Sequence, residues 1–187
     1  MGRTIAVANQ KGGVGKTTTT VNLAAALAEG KCDVLLVDLD PQGNATSGVG
    51  INKNEVPHTI YEVILGNASF DDALIKTDYQ GLYVLPANIQ LSGAEIDLIG
   101  ADQREYTLKK VLDAEKGRFD FVLIDCPPSL NMLTINAMTA ADTVLVPIQC
   151  EYYALEGLSQ LIHSVNLIQQ KLNPKLELEG VVFTMYD

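Results

Sequence analysis

Residues 11–18 most constrain how this chain can fold, because they place three glycines and two lysines within eight positions. They are Lys11, Gly12, Gly13, Val14, Gly15, Lys16, Thr17 and Thr18. A short apolar run with strand character precedes them, and apolar positions at helical spacing follow them. Glycine adopts backbone angles that other residues avoid, so successive N–H groups can surround an anion where the helix begins. The sequence therefore predicts a phosphate-binding loop between a strand and a helix.

The side chains of this loop are predicted to supply cations and a metal ligand for a bound nucleotide. Lys16 is expected to contact the β and γ phosphates, and the Thr17 hydroxyl to bind Mg²⁺. The usual pattern G-x-x-x-x-G-K-S/T requires a glycine where this chain has Gln10, and Lys11 follows instead. Lys11 and Lys16 would repel each other unless phosphate charges lie between them, so Lys11 is also predicted to contact the phosphates of the nucleotide. A glycine-rich turn with incidental lysines is the weaker interpretation.

Two carboxylates end the second predicted strand, which covers residues 34–40. The strand is apolar until Asp38 and Asp40, which is typical of a parallel strand buried on both faces. Ligands of open α/β sheets bind at that end. The two aspartates are expected to point the same way, although a helix cap or a turn also explains such a pair. Residues 41–48 are polar and turn-rich, and they predict a loop that changes shape with the nucleotide.

A third carboxylate, Asp125, ends the predicted strand at residues 119–125. This is the pattern of a Walker B strand, whose aspartate commonly holds Mg²⁺ through water. The alternative interpretation is a simple turn at the end of the strand, and the predicted phosphate loop disfavours it. Thr17 and Asp125 are therefore both predicted to serve Mg²⁺.

The rest of the chain alternates strands with helices. Six strands are predicted, at residues 4–8, 34–40, 82–86, 119–125, 143–148 and 180–185. Helices fill the intervals, with capping boxes at residues 59–62 and 92–95 and a further helical turn or two within residues 69–76. This pattern predicts an α/β fold, a doubly wound, mostly parallel sheet with helices on both faces. At 187 residues, one domain is expected.

Composition limits the other possibilities. The net charge is −10, from 13 basic and 23 acidic residues, which disfavours nonspecific attraction of these residues as a whole to nucleic acid or an anionic membrane. No apolar run has the length of a membrane span and no signal-peptide pattern opens the chain, so a cytoplasmic protein is expected. Cys32, Cys126 and Cys150 include no pair spaced for zinc or redox chemistry.

The stretch K-G-G-V-G-K-T-T resembles the deviant Walker A motif of the ParA/MinD superfamily of ATPases. Three further segments extend the likeness over nearly the whole chain: the first and last resemble the ParA/Soj partitioning branch of that superfamily, and the second resembles the superfamily's switch segment. These are D-P-Q-G-N from Asp40, D-C-P-P-S-L from Asp125, and Q-C-E-Y-Y-A-L-E-G-L-S-Q-L from Gln149. The resemblance implies a P-loop ATP hydrolase with ATP and Mg²⁺ as cofactors, and it places the Walker B strand beside the strand that leads into the phosphate loop.

The resemblance also implies roles for single residues. Lys11 would reach across a dimer interface to the nucleotide of the partner subunit. Asp40 would orient or activate the attacking water, and Asp38 would support the Mg²⁺ shell. Because the lysine in trans exists only in the dimer, ATP is expected to act as a switch for homodimerisation in chromosome or plasmid partitioning. The implied partners are a ParB-like DNA-binding activator and, for a full-length protein at the nucleoid, nonspecific DNA, with no membrane contact.

Relatives continue past the last predicted strand into helices that supply adenine contacts and much of the basic DNA surface. Residues 1–187 are therefore expected to be a single P-loop ATPase domain that lacks its C-terminal helices and binds DNA weakly. Four alternatives stay open: a MinD-like membrane-associated ATPase, a ParA-like positioner of a protein assembly, a relative of the nitrogenase iron protein, and a nucleotide-binding scaffold without turnover. The D-P-Q-G-N loop disfavours the first. The cysteine contexts disfavour the third.

Overall fold

The structure is a computed structural model that describes residues 2–115, 117–150 and 154–185. The strands are β1 (Arg3–Val7), β2 (Val34–Asp38), β3 (Ile75–Lys76), β4 (Leu82–Leu85), β5 (Phe121–Asp125), β6 (Thr143–Gln149) and β7 (Glu177–Thr184). The helices are α1 (Lys16–Glu29), α2 (Asn44–Gly48), α3 (Ile60–Ile64), α4 (Phe70–Ala73), α5 (Ala94–Asp97), α6 (Thr107–Ala114), α7 (Met132–Ala140) and α8 (Ala154–Lys171). Two 3₁₀ turns cover Ile89–Gly93 and Arg104–Tyr106.

The strands form one seven-stranded sheet in the order β3-β4-β2-β5-β1-β6-β7. Every pairing is parallel except that of β3 with β4. β1 lies between β5 and β6, so the predicted Walker B strand is the neighbour of the strand that enters the glycine loop. The predicted fold class, a doubly wound and mostly parallel sheet, is confirmed. Its parallel register brings the carboxyl ends of β1, β2 and β5 to one edge.

Helices cover both faces of the sheet, and β2 shows how the sequence produces this arrangement. All five residues of β2 are buried, and alternate side chains point to opposite faces. Leu35 and Val37 belong to the core that includes residues of α7 and α8, whereas Val34 and Leu36 belong to the core that includes residues of α1. A continuously apolar strand is thus explained by burial on two sides.

Three local predictions are corrected by the structure. Only Phe70–Ala73 of residues 69–76 is helical, and Ile75–Lys76 instead adds a short antiparallel strand. The capping box at residues 92–95 is wrong, because Ser92 Oγ donates to the carbonyl of Ile89 inside a 3₁₀ turn that leads directly into α5. The strand predicted to residue 40 ends at Asp38. By contrast, the capping box at residues 59–62 is confirmed.

Candidate functional site

The glycine loop joins β1 to α1 and has the backbone geometry of an anion-binding loop. Gly13 and Gly15 have φ values of 74° and 85°, in the left-handed region that favours glycine. A Cβ atom on Gly13 would have nothing within 4 Å, so the space beside the loop is open. No side chain caps the start of α1, which leaves its first N–H groups available to a phosphate.

Three polar residues hold this loop in place, and sequence reasoning did not identify them as functional. Asn9 is buried; its Nδ2 donates to the Pro147 carbonyl at 2.8 Å, and its Oδ1 accepts the Lys11 N–H at 3.0 Å. Gln149 Nε2 donates to the Gly13 carbonyl at 3.1 Å. Thr184 Oγ1 donates to the Val14 carbonyl at 2.8 Å. The signal available in the sequence was their position at the carboxyl ends of strands.

Lys16 is a buried cation at the start of α1. Its Nζ donates to the Lys11 carbonyl at 3.0 Å, so the lysine folds back over its own loop. Burial lowers the pKa of Lys16, and the neighbouring charge of Asp125 opposes that shift. Lys11 itself is exposed. The structure therefore separates the two lysines, with one directed inward and one at the surface of the loop.

Asp125 connects β5 to α1 through two hydroxyl groups. Thr17 Oγ1 donates to Oδ2 at 2.7 Å, and Thr20 Oγ1 donates to Oδ1 at 3.0 Å. Burial raises the pKa of Asp125 to about 7, and repulsion from Asp38 adds to this rise. Thr17 and Asp125, both predicted to serve Mg²⁺, thus lie in direct contact. Thr20 is a member of this cluster that the sequence did not single out.

Asp38 is fully buried and organises the loop that follows β2. Its Oδ2 accepts the N–H of Thr46 at 2.8 Å and the Thr46 hydroxyl at 2.7 Å, and its Oδ1 accepts the N–H of Asp40 at 3.1 Å. Burial raises the pKa of Asp38 to about 6. Asp38 is the register partner of Asp125 on the neighbouring strand, which places the two carboxylates side by side in the sheet.

Asp40 lies beyond the end of β2, in a turn. Its Oδ1 accepts the N–H of Gln42 at 2.9 Å, and its carbonyl accepts the N–H of Gly43 at 2.8 Å. A turn was one of the explanations for the Asp38 and Asp40 pair, and the backbone at Asp40 does form a turn. The side chain is only 9% exposed, so it lies within the cluster of acidic groups rather than in solvent.

The charge distribution of this edge fits Mg²⁺ and a nucleoside triphosphate. Within the described parts of the chain, the buried charged side chains are four, and all belong to this site: Lys16, Asp38, Asp40 and Asp125. Three acids share this region with one base, and burial is the main cause that raises the pKa values of Asp38 and Asp125. Hydroxyl and carboxylate oxygens are the ligands that Mg²⁺ prefers.

No group of three or more histidine, cysteine, aspartate or glutamate side chains with the geometry of a metal cage occurs among the residues that the structure describes. This does not weaken the fit to magnesium, because Mg²⁺ at nucleotide sites takes one or two protein ligands and completes its shell with phosphate and water. Over the same described residues, no helix is long and apolar enough to cross a membrane.

A glycine loop between a central parallel strand and a helix, with Thr17 bonded to a strand-end aspartate, defines a P-loop NTPase with a deviant Walker A motif. A protein-family model described as an AAA domain matches residues 2–178. The chain belongs to this family, and within it to the Soj/ParA group of partitioning ATPases.

Two curated relatives establish that group. The sporulation initiation inhibitor protein Soj of Bacillus subtilis is 56% identical over 187 residues, which are 100% of this chain and 74% of the relative. The chromosome partitioning protein ParA of Myxococcus xanthus is 52% identical over 187 residues, 100% of this chain and 66% of the relative. This chain therefore spans about two thirds to three quarters of their length.

Solved structures with the same fold contain nucleotide. Cobyrinic acid a,c-diamide synthase of Mycobacterium smegmatis, with a bound ATP analog and magnesium, has a TM-score of 0.96 and 49% identity and covers 100% of this chain and 74% of its own. A plasmid partition protein of Borrelia burgdorferi bound to AMPPNP has a TM-score of 0.83 and 30% identity, covering 100% and 77%. The predicted cofactors, ATP and Mg²⁺, agree with these relatives.

The segment that begins at Gln149 and supported the resemblance includes residues 151–153, which lie outside the described residues.

Proposed function

We propose that this chain is the ATPase domain of a Soj/ParA-type partitioning protein, in which Mg²⁺-dependent ATP hydrolysis controls dimerisation. The observation that carries the proposal is the contact of Thr17 with Asp125 beside a buried Lys16, at the open end of the glycine loop. The identities of 56% and 52% to Soj and ParA support partitioning of a chromosome or plasmid. A ParA-like positioner of a protein assembly would use the same site.

The phosphates of ATP bind to the backbone N–H groups of residues 12–18, which include Val14 and Thr18. Lys16 then exchanges its hydrogen bond to the Lys11 carbonyl for the β and γ phosphates. This exchange stabilises the charged ammonium of Lys16, because a phosphate oxygen carries negative charge whereas a carbonyl oxygen is a neutral acceptor. The Asn9, Gln149 and Thr184 contacts keep the loop in shape during the exchange.

Thr17 and Asp125 would hold Mg²⁺, and Asp38 would support its shell. When bound, Mg²⁺ neutralises charge on the phosphate oxygens. The Thr17 hydroxyl can continue to donate its proton to Asp125 while its lone pairs bind a cation, so the observed hydrogen bond orients the ligand. Asp38 has both oxygens engaged by Thr46 and Asp40, so it supports the site mainly as a negative charge next to Asp125.

Asp40 is assigned to the attacking water. In the reaction the water oxygen forms a bond to the γ phosphorus, the bond from that phosphorus to the oxygen of the leaving ADP breaks, and the water proton passes to Asp40 or to solvent. Asp40 is held by the N–H of Gln42 in the turn after β2, so any movement of that turn would reposition its carboxylate. Catalysis then depends on positioning and charge rather than on covalent chemistry.

Lys11 is assigned to the nucleotide of a second subunit. Its backbone N–H is fixed by Asn9, whereas its side chain is exposed at the surface of the loop, where another molecule can meet it. In such a homodimer the lysine of each subunit would contact the nucleotide of the other, so bound ATP would favour the dimer. A ParB-like activator and nonspecific DNA are the proposed partners of a protein with the length of the relatives.

Phosphate release measured with and without Mg²⁺ tests this function. We expect phosphate release to require Mg²⁺ and to be lost in Thr17→Ala. Release is expected to persist in the control Thr19→Ala, because Thr19 lies on the same helix, one position after the loop ends at Thr18. Release without added carboxylate acceptor also distinguishes hydrolysis from the amide synthesis that the name of the Mycobacterium smegmatis protein denotes. Equal rates with and without Mg²⁺, or nucleotide binding with no release, would refute the proposal.

A further inference from the structure

The turn that carries Asp40, residues 40–43, is in close contact with two other parts of the chain. Gly43 at its end is buried, and its φ of 60° lies in the left-handed region that favours glycine. A Cβ atom on Gly43 would lie 2.6 Å from the carbonyl oxygen of Ala87 and 2.7 Å from Lys53 Cδ. The backbone after β4 and the aliphatic chain of Lys53 therefore both pack against the backbone of this turn.

The Lys53 side chain ends on a carbonyl of the same turn. Its Nζ donates to the carbonyl of Gln42, the residue whose N–H binds the Asp40 carboxylate at 2.9 Å. Within the part of the chain that the structure describes, no carboxylate forms an ion pair with Lys53. A surface lysine usually keeps its ammonium in water, whereas Lys53 is half-buried and contacts the turn through both its aliphatic chain and its ammonium.

The backbone on either side of this lysine is itself held in place. The N–H of Ile51 donates to the carbonyl of Thr46 at 3.2 Å. Asn52 then forms a turn, in which its Oδ1 accepts the N–H of Asn54 at 3.2 Å and its carbonyl accepts the N–H of Glu55 at 3.0 Å. The lysine is thus carried by a backbone that is fixed to the loop after β2, and this placement directs its side chain to the turn.

Gln42 has little else to hold it. Its side chain is exposed, and its N–H is bonded to Asp40 inside the turn. Of the hydrogen bonds that the structure describes for Gln42, the one from outside residues 38–46 comes from Lys53. Without that bond, Gln42 and the carboxylate it holds would be restrained mainly by the turn itself.

We propose that Lys53 is a positioning residue for ATP hydrolysis, because it holds the Gln42 carbonyl and thereby keeps the Asp40 carboxylate in place for the attacking water. Lys53 acts through Gln42 and Asp40, not through the nucleotide. The inference rests on the proposed ATPase function and on the role assigned there to Asp40. The holding of the turn is a property of the nucleotide-free chain, so it is measured separately from the reaction.

Amide hydrogen exchange of the nucleotide-free protein, observed by NMR, tests whether Lys53 holds the turn. Lys53→Met keeps an unbranched side chain of similar length and removes the ammonium. It is expected to speed exchange at the N–H groups of Gln42 and Gly43, both bonded to Asp40, by at least about threefold, the low end of what one hydrogen bond contributes. The N–H of Thr46, which is bonded outside the turn, is expected to exchange as in the parent.

Steady-state phosphate release tests the role in the reaction. Lys53→Met is expected to lower kcat by at least about tenfold, because a small misplacement of a reacting group has effects of this size or larger. The affinity for a fluorescent ATP analogue and the midpoint of urea unfolding are expected to stay at the parental values, since Lys53 contacts neither the nucleotide nor the core. A purely structural role would instead lower affinity and stability along with kcat.

Two further variants serve as controls. Lys53→Arg keeps a charged donor and is expected to retain most of the parental kcat and the slow exchange at Gln42. Lys76→Met removes an exposed lysine from β3 and is expected to behave as the parent in both measurements.

The outcomes separate this inference from the proposed function. Unchanged exchange at Gln42 and Gly43 in Lys53→Met, or a parental kcat in that variant, would overturn the positioning role. The same would follow if Lys53→Arg lost as much activity as Lys53→Met, or if the loss came with weaker ATP binding and lower stability. A parent protein without Mg²⁺-dependent phosphate release would overturn the proposed ATPase function, and the exchange rates would still decide whether Lys53 holds the turn.

Discussion

Thr17 donates its hydroxyl proton to Asp125 across 2.7 Å, although the two residues are 108 positions apart in the chain. The contact follows from the parallel pairing of β1 with β5, which runs in register from Arg3 and Phe121 to Val7 and Asp125. The glycine loop then turns the chain so that α1 begins over the end of β5. The two motifs that a nucleotide and its metal require are therefore joined by sheet register.

Lys16→Ala is expected to weaken ATP binding by at least about 100-fold, because it removes charge-assisted hydrogen bonds to two phosphates. Titration with a fluorescent ATP analogue measures the change. Lys175→Ala is the control, since Lys175 is exposed and lies near the opposite edge of the sheet. Equal affinities of Lys16→Ala and the parent would contradict the assignment of the phosphate loop.

The stability of the nucleotide-free protein is expected to fall as pH rises from 5 to 8. Burial raises the pKa of Asp38 to about 6 and of Asp125 to about 7, so the folded state retains protons that the unfolded state has lost. The stabilisation is fully present below the unfolded pKa and is lost as pH rises through the folded values. The slope is at most about 1.4 kcal/mol per pH unit for each group.

Urea unfolding at several pH values measures this slope. Asp125→Asn is expected to flatten it, because an amide does not titrate, and Mg²⁺ with ATP is expected to restore stability above pH 7 by supplying positive charge. A parent protein that becomes more stable between pH 5 and pH 8 would contradict the prediction.

Thr20→Val is expected to destabilise the protein by about 1–3 kcal/mol, because a buried carboxylate loses a hydrogen bond without gaining another partner. Thr20 is fully buried, and its hydroxyl lies within hydrogen-bond distance of both the Lys16 carbonyl and Asp125 Oδ1. Thr20→Ser keeps the hydroxyl and serves as the control in urea unfolding. Similar losses in both variants would show that the methyl group, rather than the hydrogen bond, stabilises this site.

Asp40→Ala is expected to bind ATP and accumulate as a dimer, because the proposed role of Asp40 concerns the water and not the nucleotide. Adding Lys11→Ala to this variant is expected to return it to monomer by removing the cation that reaches the partner nucleotide. Sedimentation with ATP distinguishes the two states. A double variant that dimerises as strongly as Asp40→Ala would argue against a role of Lys11 in trans.

The sequence allowed much of this site to be predicted, because its strongest signals are local. Glycine spacing determines the shape of the loop, and a polar residue after an apolar run marks the carboxyl end of a strand. The parallel strands then bring Thr17 and Asp125 to the same edge of the sheet, although no sequence pattern predicts the contact between these two residues. The resemblance to a known family added the roles of Lys11 and Asp40, which no local pattern contains.

The features that escaped prediction are set by tertiary contacts. Asn9, Gln149 and Thr184 act through hydrogen bonds to distant backbone carbonyls, and asparagine, glutamine and threonine are common at strand ends without such roles. β3 has two residues, too few for an alternating pattern to be read. Residues 92–95 match the capping-box pattern, but a 3₁₀ turn leads directly into the helix. The N–H of Ala94 therefore donates to the Leu91 carbonyl, and Ser92 Oγ donates to the Ile89 carbonyl.

Residues 1–187 are expected to bind duplex DNA weakly even with ATP, whereas the longer Soj protein of Bacillus subtilis is expected to bind it in a salt-sensitive way. DNA binding without sequence preference depends on lysines and arginines that neutralise phosphates, and its affinity falls steeply with salt. This chain has 13 such residues against 23 acids, and its relatives have additional sequence that it does not cover. Gel shifts of both proteins at two salt concentrations provide the comparison. Tight, salt-sensitive binding by residues 1–187 would place the DNA surface within this chain, formed by a local basic patch that the net charge conceals.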